Sequence, residues 1–387
     1  MLFMKRKMMT ILFLFLLLLF SGQIKNSGIS SDSQAKKYAG VQNTTFANTV
    51  MKIENNQTVL EINLNGGSIS DFHLKDLPVN PLSWRNKDTT MPPFMGHFLC
   101  FDRWGPPSEG EKLNGFQHHG EVNTITWKVL SEPRINDGKI SCSMTCTLPM
   151  GGLELTRRIE MPVDGTVAFV REEIKNLNKY GRMFNIVQHV TLGPPFLDKT
   201  TLFDNNTEKG FENKGDGSPD QEEPVLRWPR TVHNGKKVSL RHFHDPWPLV
   251  SSFVYSPGDK YGWTSASNPG KNLLLGYIWK TEDYPWINFW RSMENDIPLA
   301  FGMEFGTTGL HEPFPVVAKK GKIFNRNLYD FIDAGEVILK SYTVFLARIP
   351  DDYQGTDKIE ITDSSVIVRE KKRPSRDIVL TLKNINP

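Results

Sequence analysis

The stretch KISCSMTCTLPMGGLELTRRIEM, residues 139–161, decides the fold class of this chain of 387 residues. Apolar side chains occupy every second position from Ile140 to Leu148, and the same spacing returns at most positions from Leu153 to Met161. Alternate residues of a β-strand lie on the same face of their sheet, so a period of two indicates strands with one buried face. The stretch therefore predicts two half-buried strands.

The same alternation recurs along most of the chain. Further strand candidates are Leu60–Leu64, Ile125–Val129, Val167–Ile174, Phe184–Thr191, Leu273–Trp279 and Tyr342–Ile349. Long amphipathic helices are absent from the pattern, and 25 prolines and 30 glycines fit many strands joined by turns. Antiparallel sheets of this extent must stack or close to bury their apolar faces. The sequence therefore predicts an all-β fold, a large antiparallel sandwich.

Both cysteines of the opening stretch, Cys142 and Cys146, fall on the apolar positions. Four residues of strand span about 13 Å, which is too far for a disulfide bond between them. Cys100 is the only other cysteine of the chain. The sequence thus predicts small buried thiols, with neither a disulfide framework nor a cysteine-type zinc site.

The N-terminal segment, residues 1–22, has the pattern of a secretory signal peptide. Basic residues at 5–7 precede an uncharged, mostly apolar run from Met8 to Phe20, and small residues follow. That run is shorter than the roughly 20 apolar residues that a membrane-spanning helix needs, although an uncleaved anchor is the alternative. We expect a periplasmic or extracellular protein with no membrane attachment after cleavage.

Three further segments follow the N-terminal one. Residues 23–45 are polar and predict a linker, residues 46–350 carry the main strand pattern, and residues 351–387 predict a C-terminal extension that contains strands. Within the main domain the polar segment Asp204–Glu223 predicts an exposed loop. The 46 basic and 43 acidic residues give a net charge of +3 and are mixed along the chain, which argues against a nucleic-acid partner.

A late strand candidate, LAFGMEFG at residues 299–306, carries an acid–base candidate. Glu304 lies between Gly302 and Gly306 on one face, opposite the apolar positions. Glycine within a strand often marks the close approach of a ligand or of another chain segment. Glu304 is therefore a candidate functional carboxylate, with an ordinary surface glutamate as the alternative.

Histidines supply the other acid–base candidates. In FNIVQHVT, residues 184–191, His189 lies on the more polar face, and histidine can donate or accept a proton near neutral pH. The pair His118 and His119, followed by Gly120, stands in a predicted loop before a strand and could bind a ligand hydroxyl. A structural histidine and an ordinary polar turn are the alternatives.

Three motifs, in this order and spacing, resemble the aldose 1-epimerase (galactose mutarotase-like) family. They are His119-Gly120 ahead of the strand residue Trp127, Asn185 four residues before His189, and Met303-Glu304 on the late strand. The framework segments GGSISDFHL, LELTRRIEM and EEIKNL also resemble this family. The resemblance covers about residues 46–350.

The resemblance implies an antiparallel β-supersandwich with a carbohydrate-binding groove and an isomerase that interconverts sugar anomers without a cofactor. In this mechanism a base removes the proton of the anomeric hydroxyl and an acid protonates the ring oxygen. The ring then opens, and closure gives the other anomer. By resemblance Glu304 is the general base, His189 is the general acid, and His119 supports the sugar.

Other positions follow the family pattern less closely. By resemblance, the arginine of the groove corresponds to Arg103 in CFDRWG, and an aspartate corresponds to Asp245 in HFHDPW, with Asp283 as an alternative. The Asn-Arg pair that usually precedes the first histidine of the family is missing. The segment 192–195 reads LGPP where an aromatic-Asn ending is common. These departures favour, as the alternative, a non-catalytic carbohydrate-binding protein on the same fold.

Aromatic residues late in the chain also fit a carbohydrate partner. Trp286 and Trp290 in YPWINFWRS follow a proline, and indole rings stack well on the apolar faces of sugars. We expect these two side chains in the groove, with Arg291 beside them. Trp279, by contrast, has the parity of a core residue.

A metal site is the competing hypothesis. His242, His244 and Asp245 in RHFHDPW form a ligand set for zinc or another divalent ion, to which His311 and Glu312 could add. Pairs of this kind also occur by chance in polar loops. A metal here would favour a metal-assisted polysaccharide lyase or hydrolase. The sequence determines neither the sugar, a monosaccharide or an oligosaccharide end, nor the oligomeric state.

Overall fold

Strands dominate the secondary structure of this computed structural model, which describes residues 50–215, 218, 220, 222–233, 236–243 and 250–385. Within these ranges the strands are, in chain order, β1 (Val50–Glu54), β2 (Thr58–Asn63), β3 (Ser68–Leu74), β4 (His97–Phe101), β5 (Lys128–Asn136), β6 (Lys139–Leu148), β7 (Leu153–Pro162), β8 (Val167–Asn176), β9 (Arg182–Phe184), β10 (Ile186–Leu192), β11 (Leu202–Asn205), β12 (Thr207–Glu212), β13 (Leu226–Arg227), β14 (Arg230–His233), β15 (Lys236–Ser239), β16 (Ser251–Tyr255), β17 (Tyr261–Asn268), β18 (Leu273–Lys280), β19 (Trp286–Glu294), β20 (Ile297–Gly306), β21 (Lys322–Ile323), β22 (Arg326–Asn327), β23 (Asp330–Ile332), β24 (Val337–Arg348), β25 (Thr356–Ile361), β26 (Ser365–Glu370) and β27 (Ile378–Thr381). The helices are short: α1 (Glu109–Leu113), α2 (Phe314–Lys320) and the 3₁₀ turns Val122–Thr124 and Pro269–Lys271.

Two large antiparallel sheets organise these strands. The first has twelve strands in the order β1-β2-β3-β4-β10-β20-β19-β16-β12-β13-β14-β15, and the second has eight in the order β11-β17-β18-β24-β8-β7-β6-β5. Smaller sheets are β21-β22, β23-β9 and β25-β26-β27. The predicted all-β antiparallel fold is confirmed.

The main hydrophobic core lies between the two large sheets. Phe305 on β20 stacks on Trp279 on β18, with 4.0 Å between the ring centroids. The apolar positions of β6, from Ile140 to Leu148, are all buried in this core, as their period of two predicts. Cys142 and Cys146 are free thiols there, and burial raises the pKa of Cys142 to about 12.

The prediction of an exposed loop at 204–223 is wrong over its first part, because β11 ends and β12 runs there. Asp204 is buried, yet its carboxylate is satisfied: the Arg241 guanidinium donates to one oxygen at 2.7 Å and the Thr356 backbone N–H donates to the other at 3.0 Å. A paired charge can be buried where an unpaired one cannot. Polarity alone therefore misled the prediction.

The C-terminal extension forms the three-stranded sheet β25-β26-β27, where the sequence indicated two strand-like runs. Val366 and Val368 on β26 pack in one cluster with Trp263 and Phe345 of the eight-stranded sheet. The predicted signal peptide (1–22) and linker (23–45) lie outside the described residues. Within the described ranges, no helix has the length and apolar character to cross a membrane.

Candidate functional site

The centre of the twelve-stranded sheet aligns one row of side chains across four adjacent strands. In the antiparallel register, His189 on β10 lies opposite Phe98 on β4 and opposite Glu304 on β20. Glu304 in turn lies opposite Asn288 on β19. Directly opposed residues have Cβ atoms about 5 Å apart, so the register alone brings the predicted acid–base pair together.

The His189 and Glu304 side chains are in direct contact. His189 Nε2 lies 3.0 Å from Glu304 Oε1, and His189 Nδ1 lies 2.9 Å from the Thr191 hydroxyl. The imidazole also stacks on Phe98, with ring centroids 4.0 Å apart. Both side chains are almost fully buried, at 4% and 1% exposure. This arrangement can hold a proton donor beside a proton acceptor in a site of low dielectric constant.

A tryptophan completes the hydrogen bonding of the carboxylate. Trp104 Nε1 donates to Glu304 Oε2 at 2.9 Å, so each oxygen of Glu304 has a donor. The sequence analysis missed Trp104, although it follows Arg103 directly in CFDRWG. Its only local signal was its place beside Arg103, and nothing in its spacing connected it to Glu304.

The glycines around Glu304 make room for an indole ring. Trp290 lies opposite Gly302 in the register. A Cβ atom on Gly302 would collide with the Trp290 ring and lie 2.7 Å from Glu304 Oε1. The close approach that the sequence predicted for this strand is therefore the approach of the Trp290 ring to the backbone at Gly302.

A cavity of about 310 Å³ opens above this pair. Its wall is mainly aromatic, with histidines and a few polar groups, and it includes Trp84, Asn86, Asp88, Met91, Phe94, Phe98, Trp104, His118, His119, His189, Val250, Trp290, Glu304 and His311. A second, larger depression of about 860 Å³ shares Met91 and His118 with this cavity. Apolar walls with few polar groups are typical of small-molecule sites.

Three more histidines meet on one side of the cavity. The ring centroids of His118 and His119 are 4.0 Å apart, and those of His118 and His311 are 5.8 Å apart. Burial lowers the pKa of His118 to about 4 and that of His311 to about 3, and it lowers the pKa of His119 well below its usual value. All three rings are therefore neutral at neutral pH.

The backbone conformation at residues 119 and 120 positions the His119 side chain. Residue 119 has φ 63° and Gly120 has φ 81°, and a Cβ on Gly120 would lie 2.5 Å from the Phe101 carbonyl oxygen. This explains physically why glycine follows the histidine. The Gly105 backbone N–H donates to His119 Nδ1 at 3.1 Å, so the neutral ring carries its proton on Nε2 and can donate to a ligand.

Three of the predicted groove residues do not line the cavity: Trp286, Arg291 and Arg103. Trp286 is fully buried under α2, and its Nε1 donates to the Asn327 carbonyl at 2.7 Å. Arg291 is buried as well and donates to the Ser239 and His242 carbonyls.

Arg103 is held at the side of the site rather than in it. Its guanidinium donates to Glu111 at 2.6 Å and to Asp102 at 2.9 Å, and it lies 4.1 Å from the centre of the Phe314 ring. The two carboxylates and the aromatic ring hold the Arg103 guanidinium in place, and Arg103 is not among the residues that line the cavity.

The predicted metal ligands are not brought together within the described residues. His242 forms a bridge with Leu202 on β11, whereas His244 and Asp245 lie outside the described residues. Asp283, the other candidate aspartate, accepts a hydrogen bond from the Ser341 backbone N–H away from the cavity. His311, proposed as a helper of that set, belongs instead to the cluster with His118 and His119.

Comparison with known proteins gives a fold but no near relative. No protein-family model and no curated protein sequence matches this chain. Solved structures do match. A galactose mutarotase-like protein from Clostridium acetobutylicum has 13% identity and a TM-score of 0.57, over 77% of this chain and 95% of that chain.

Two lactobacillal structures agree with this match. The galactose mutarotase related enzyme from Lactobacillus acidophilus has 12% identity and a TM-score of 0.55, over 81% of this chain and 100% of that chain. A galactose mutarotase-like protein from Lactobacillus casei has 13% identity and a TM-score of 0.53, over 77% of this chain and 100% of that chain. The described part of this chain therefore has the galactose mutarotase-like fold, the antiparallel supersandwich that the motifs of its sequence implied.

Proposed function

We propose that this protein interconverts the anomers of a sugar by acid–base catalysis at His189 and Glu304. The observation that carries the proposal is the direct contact of 3.0 Å between His189 Nε2 and Glu304 Oε1 at the base of an aromatic cavity. The fold supports it, since solved structures of this fold carry the names of mutarotase-like proteins.

The geometry suits a reaction at two oxygen atoms that share one carbon. In a cyclic sugar the anomeric hydroxyl and the ring oxygen are both bonded to C1, so a base and an acid that lie close together can reach both. Glu304 accepts the proton of the hydroxyl while His189 donates to the ring oxygen, and the roles reverse on closure. The Thr191 hydroxyl can either donate or accept, so it can follow the ring through both protonation states.

The cavity wall supplies the rest of a sugar site. Trp84 and Trp290 meet edge to face with centroids 6.0 Å apart, which gives a rigid apolar surface for sugar C–H groups. Among the described residues, Trp290 Nε1 has no hydrogen-bond acceptor. A buried donor of this kind is usually satisfied in the working state, and a sugar oxygen would satisfy it.

Anomer exchange measured by polarimetry or NMR, with freshly dissolved α-glucose and α-galactose, tests the proposal. Glu304→Gln keeps the shape of the side chain, His189→Asn keeps a polar side chain, and each removes a proton-transfer group, so each should lower the rate about 10²- to 10⁴-fold. His73→Asn is the matched control, because His73 lies on β3, outside the cavity wall. A folded wild-type protein that does not exceed the spontaneous rate with these sugars would refute hexose mutarotation.

A non-catalytic carbohydrate-binding protein is the second candidate, and the position of Arg103 favours it. Glu111 and Asp102 hold this cation, and no lysine or arginine is among the described residues that line the cavity. On this interpretation the protein would bind glycans on an array without accelerating anomer exchange. Glu304→Gln would then change affinity only.

A further inference from the structure

The cluster of His118, His119 and His311 has a geometry that the proposed reaction does not use. One ligand nitrogen from each ring can be chosen so that all three lie within 4.8 Å of one another. Tetrahedral zinc bound by three imidazoles at 2.0–2.1 Å places the nitrogen atoms about 3.3 Å apart. Small side-chain rotations would therefore bring the three rings into metal-binding range.

The chemistry of the rings fits a metal. A histidine ligates metal through the lone pair of a neutral ring, and imidazole nitrogen is a common ligand of zinc. Among the described residues, no hydrogen bond engages a ring nitrogen of His118 or His311. Two lone pairs are thus available as the structure stands.

His119 differs from the other two rings. Its Nδ1 accepts the Gly105 N–H at 3.1 Å, and ligation through Nε2 requires the proton to sit on Nδ1 instead. His119 therefore joins a metal only when the contact with Gly105 opens. We accordingly treat His118 and His311 as the primary ligands and His119 as the ligand that completes the site.

We propose that His118, His311 and His119 bind a late first-row divalent metal ion of the zinc class, with its remaining coordination positions open to water or to a ligand hydroxyl in the cavity. Imidazole ligands select zinc, copper, iron or nickel rather than magnesium or calcium. These three ligands differ from His242, His244 and Asp245, the metal-binding set that the sequence suggested.

This site would adjoin the acid–base pair. The His119 and His189 rings have centroids 5.2 Å apart, and Trp104, which donates to Glu304, has its ring centroid 4.8 Å from that of His311. A bound ion would hold a sugar hydroxyl beside the pair. The proposal goes beyond anomer exchange, which needs only a proton donor and a proton acceptor.

Cobalt(II) and zinc(II) titrations test the proposal on the full chain, after treatment with chelator and removal of any purification tag. Isothermal calorimetry with zinc should give one equivalent, and cobalt should give visible absorption bands of a four- or five-coordinate ion. His118→Ala and His311→Ala should each weaken binding by more than about tenfold. His73→Ala, a change of a half-buried histidine on β3 outside the cavity wall, should not change it.

Two results would overturn the proposal: no stoichiometric binding of zinc or cobalt by folded wild-type protein, or equal affinity in His118→Ala, His311→Ala and His73→Ala. Circular dichroism and thermal unfolding of each variant exclude loss of fold as the cause of lost binding. His118→Asn and His311→Asn, which keep a polar side chain, give the same comparison if an alanine variant does not fold. Because no sugar is present, the result does not depend on the proposed reaction.

Discussion

At the scale of single residues, the orientation of Glu304 depends on a neighbour distant in sequence. Trp104 lies 200 positions away and donates to Oε2, while His189 occupies Oε1. A carboxylate held on both oxygens by buried groups has one orientation, which is what proton transfer to a bound ligand needs. Trp104 is therefore a positioning residue for Glu304.

Trp104→Phe keeps an aromatic ring in the wall and removes only the N–H group. Hydrogen bonds to charged groups contribute about 1.5–3 kcal/mol, so we expect kcat for anomer exchange to fall at least about tenfold with little change in KM. Trp84→Phe is the control, since Trp84 lines the same cavity without a bond to Glu304. A drop in affinity with unchanged kcat would show that Trp104 acts in binding instead.

The residue pattern anticipated part of the site for a definable reason. Parity along a strand decides which face a side chain occupies, and it predicted that His189 and Glu304 lie on the faces away from the main core, as they do. Trp286 and Trp290, both expected in the groove, lie on one face of β19 because four residues separate them. Parity does not predict which distant segments pack against a strand face. The cluster that includes Val317 of α2 packs against Trp286 and buries it, whereas Trp290 lines the cavity.

At the scale of elements, the register of β10, β20 and β19 builds the site. A slip of one residue between two strands would move every side chain to the other face. Here Thr191, Gly302 and Trp290 form one row beside the row of His189 and Glu304. The small residue in the middle of the first row lets the indole lie flat across β20.

Gly302→Ala tests this packing. The added methyl group would collide with the Trp290 ring and crowd Glu304 Oε1 at 2.7 Å. We expect a loss of about 1–3 kcal/mol in the free energy of unfolding and weaker sugar binding, measured by urea denaturation and calorimetry. Gly258→Ala is the control, because a Cβ there meets no atom within 4 Å. Equal effects of the two substitutions would contradict the assigned role of Gly302.

At the scale of the whole molecule, a buried polar network joins the two large sheets behind the site. Gln188 on β10 donates to Glu172 on β8 at 2.6 Å, and its carbonyl oxygen lies 3.0 Å from His97 Nε2. Tyr277 on β18 reaches His97 Nδ1 at 3.2 Å, and Arg157 on β7 pairs with Glu172. Each of these polar groups has a hydrogen-bond partner. The network therefore holds β10, the strand that carries His189, without burying an unpaired charge.

This network predicts a pH dependence of stability. Burial, with a further contribution from Arg157, lowers the pKa of His97 to about 3, whereas an unfolded histidine titrates near 6.5. Between these values the unfolded chain binds more protons, so the free energy of unfolding falls as the pH decreases. Between pH 6.5 and 4.5 this one group accounts for about 2–3 kcal/mol.

Chemical denaturation of His97→Gln at several pH values measures this contribution. The variant keeps a hydrogen-bonding side chain. Its free energy of unfolding should depend less steeply on pH between pH 6.5 and 4.5, and the other buried histidines should preserve part of the slope. His73→Gln, at a half-buried histidine outside the network, is the matched control and should retain most of the pH dependence. An unchanged slope in His97→Gln would contradict the assignment.

The sequence by itself determined the fold class and the strand faces that carry His189 and Glu304, because strand periodicity and parity are local properties that the chain carries residue by residue. Only the tertiary structure decided the rest. It placed Trp104 on Glu304, joined His311 to His118 and His119, and moved Trp286, Arg291 and Arg103 out of the cavity. These outcomes depend on which distant segments pack against a given face, and no short stretch of sequence contains that information.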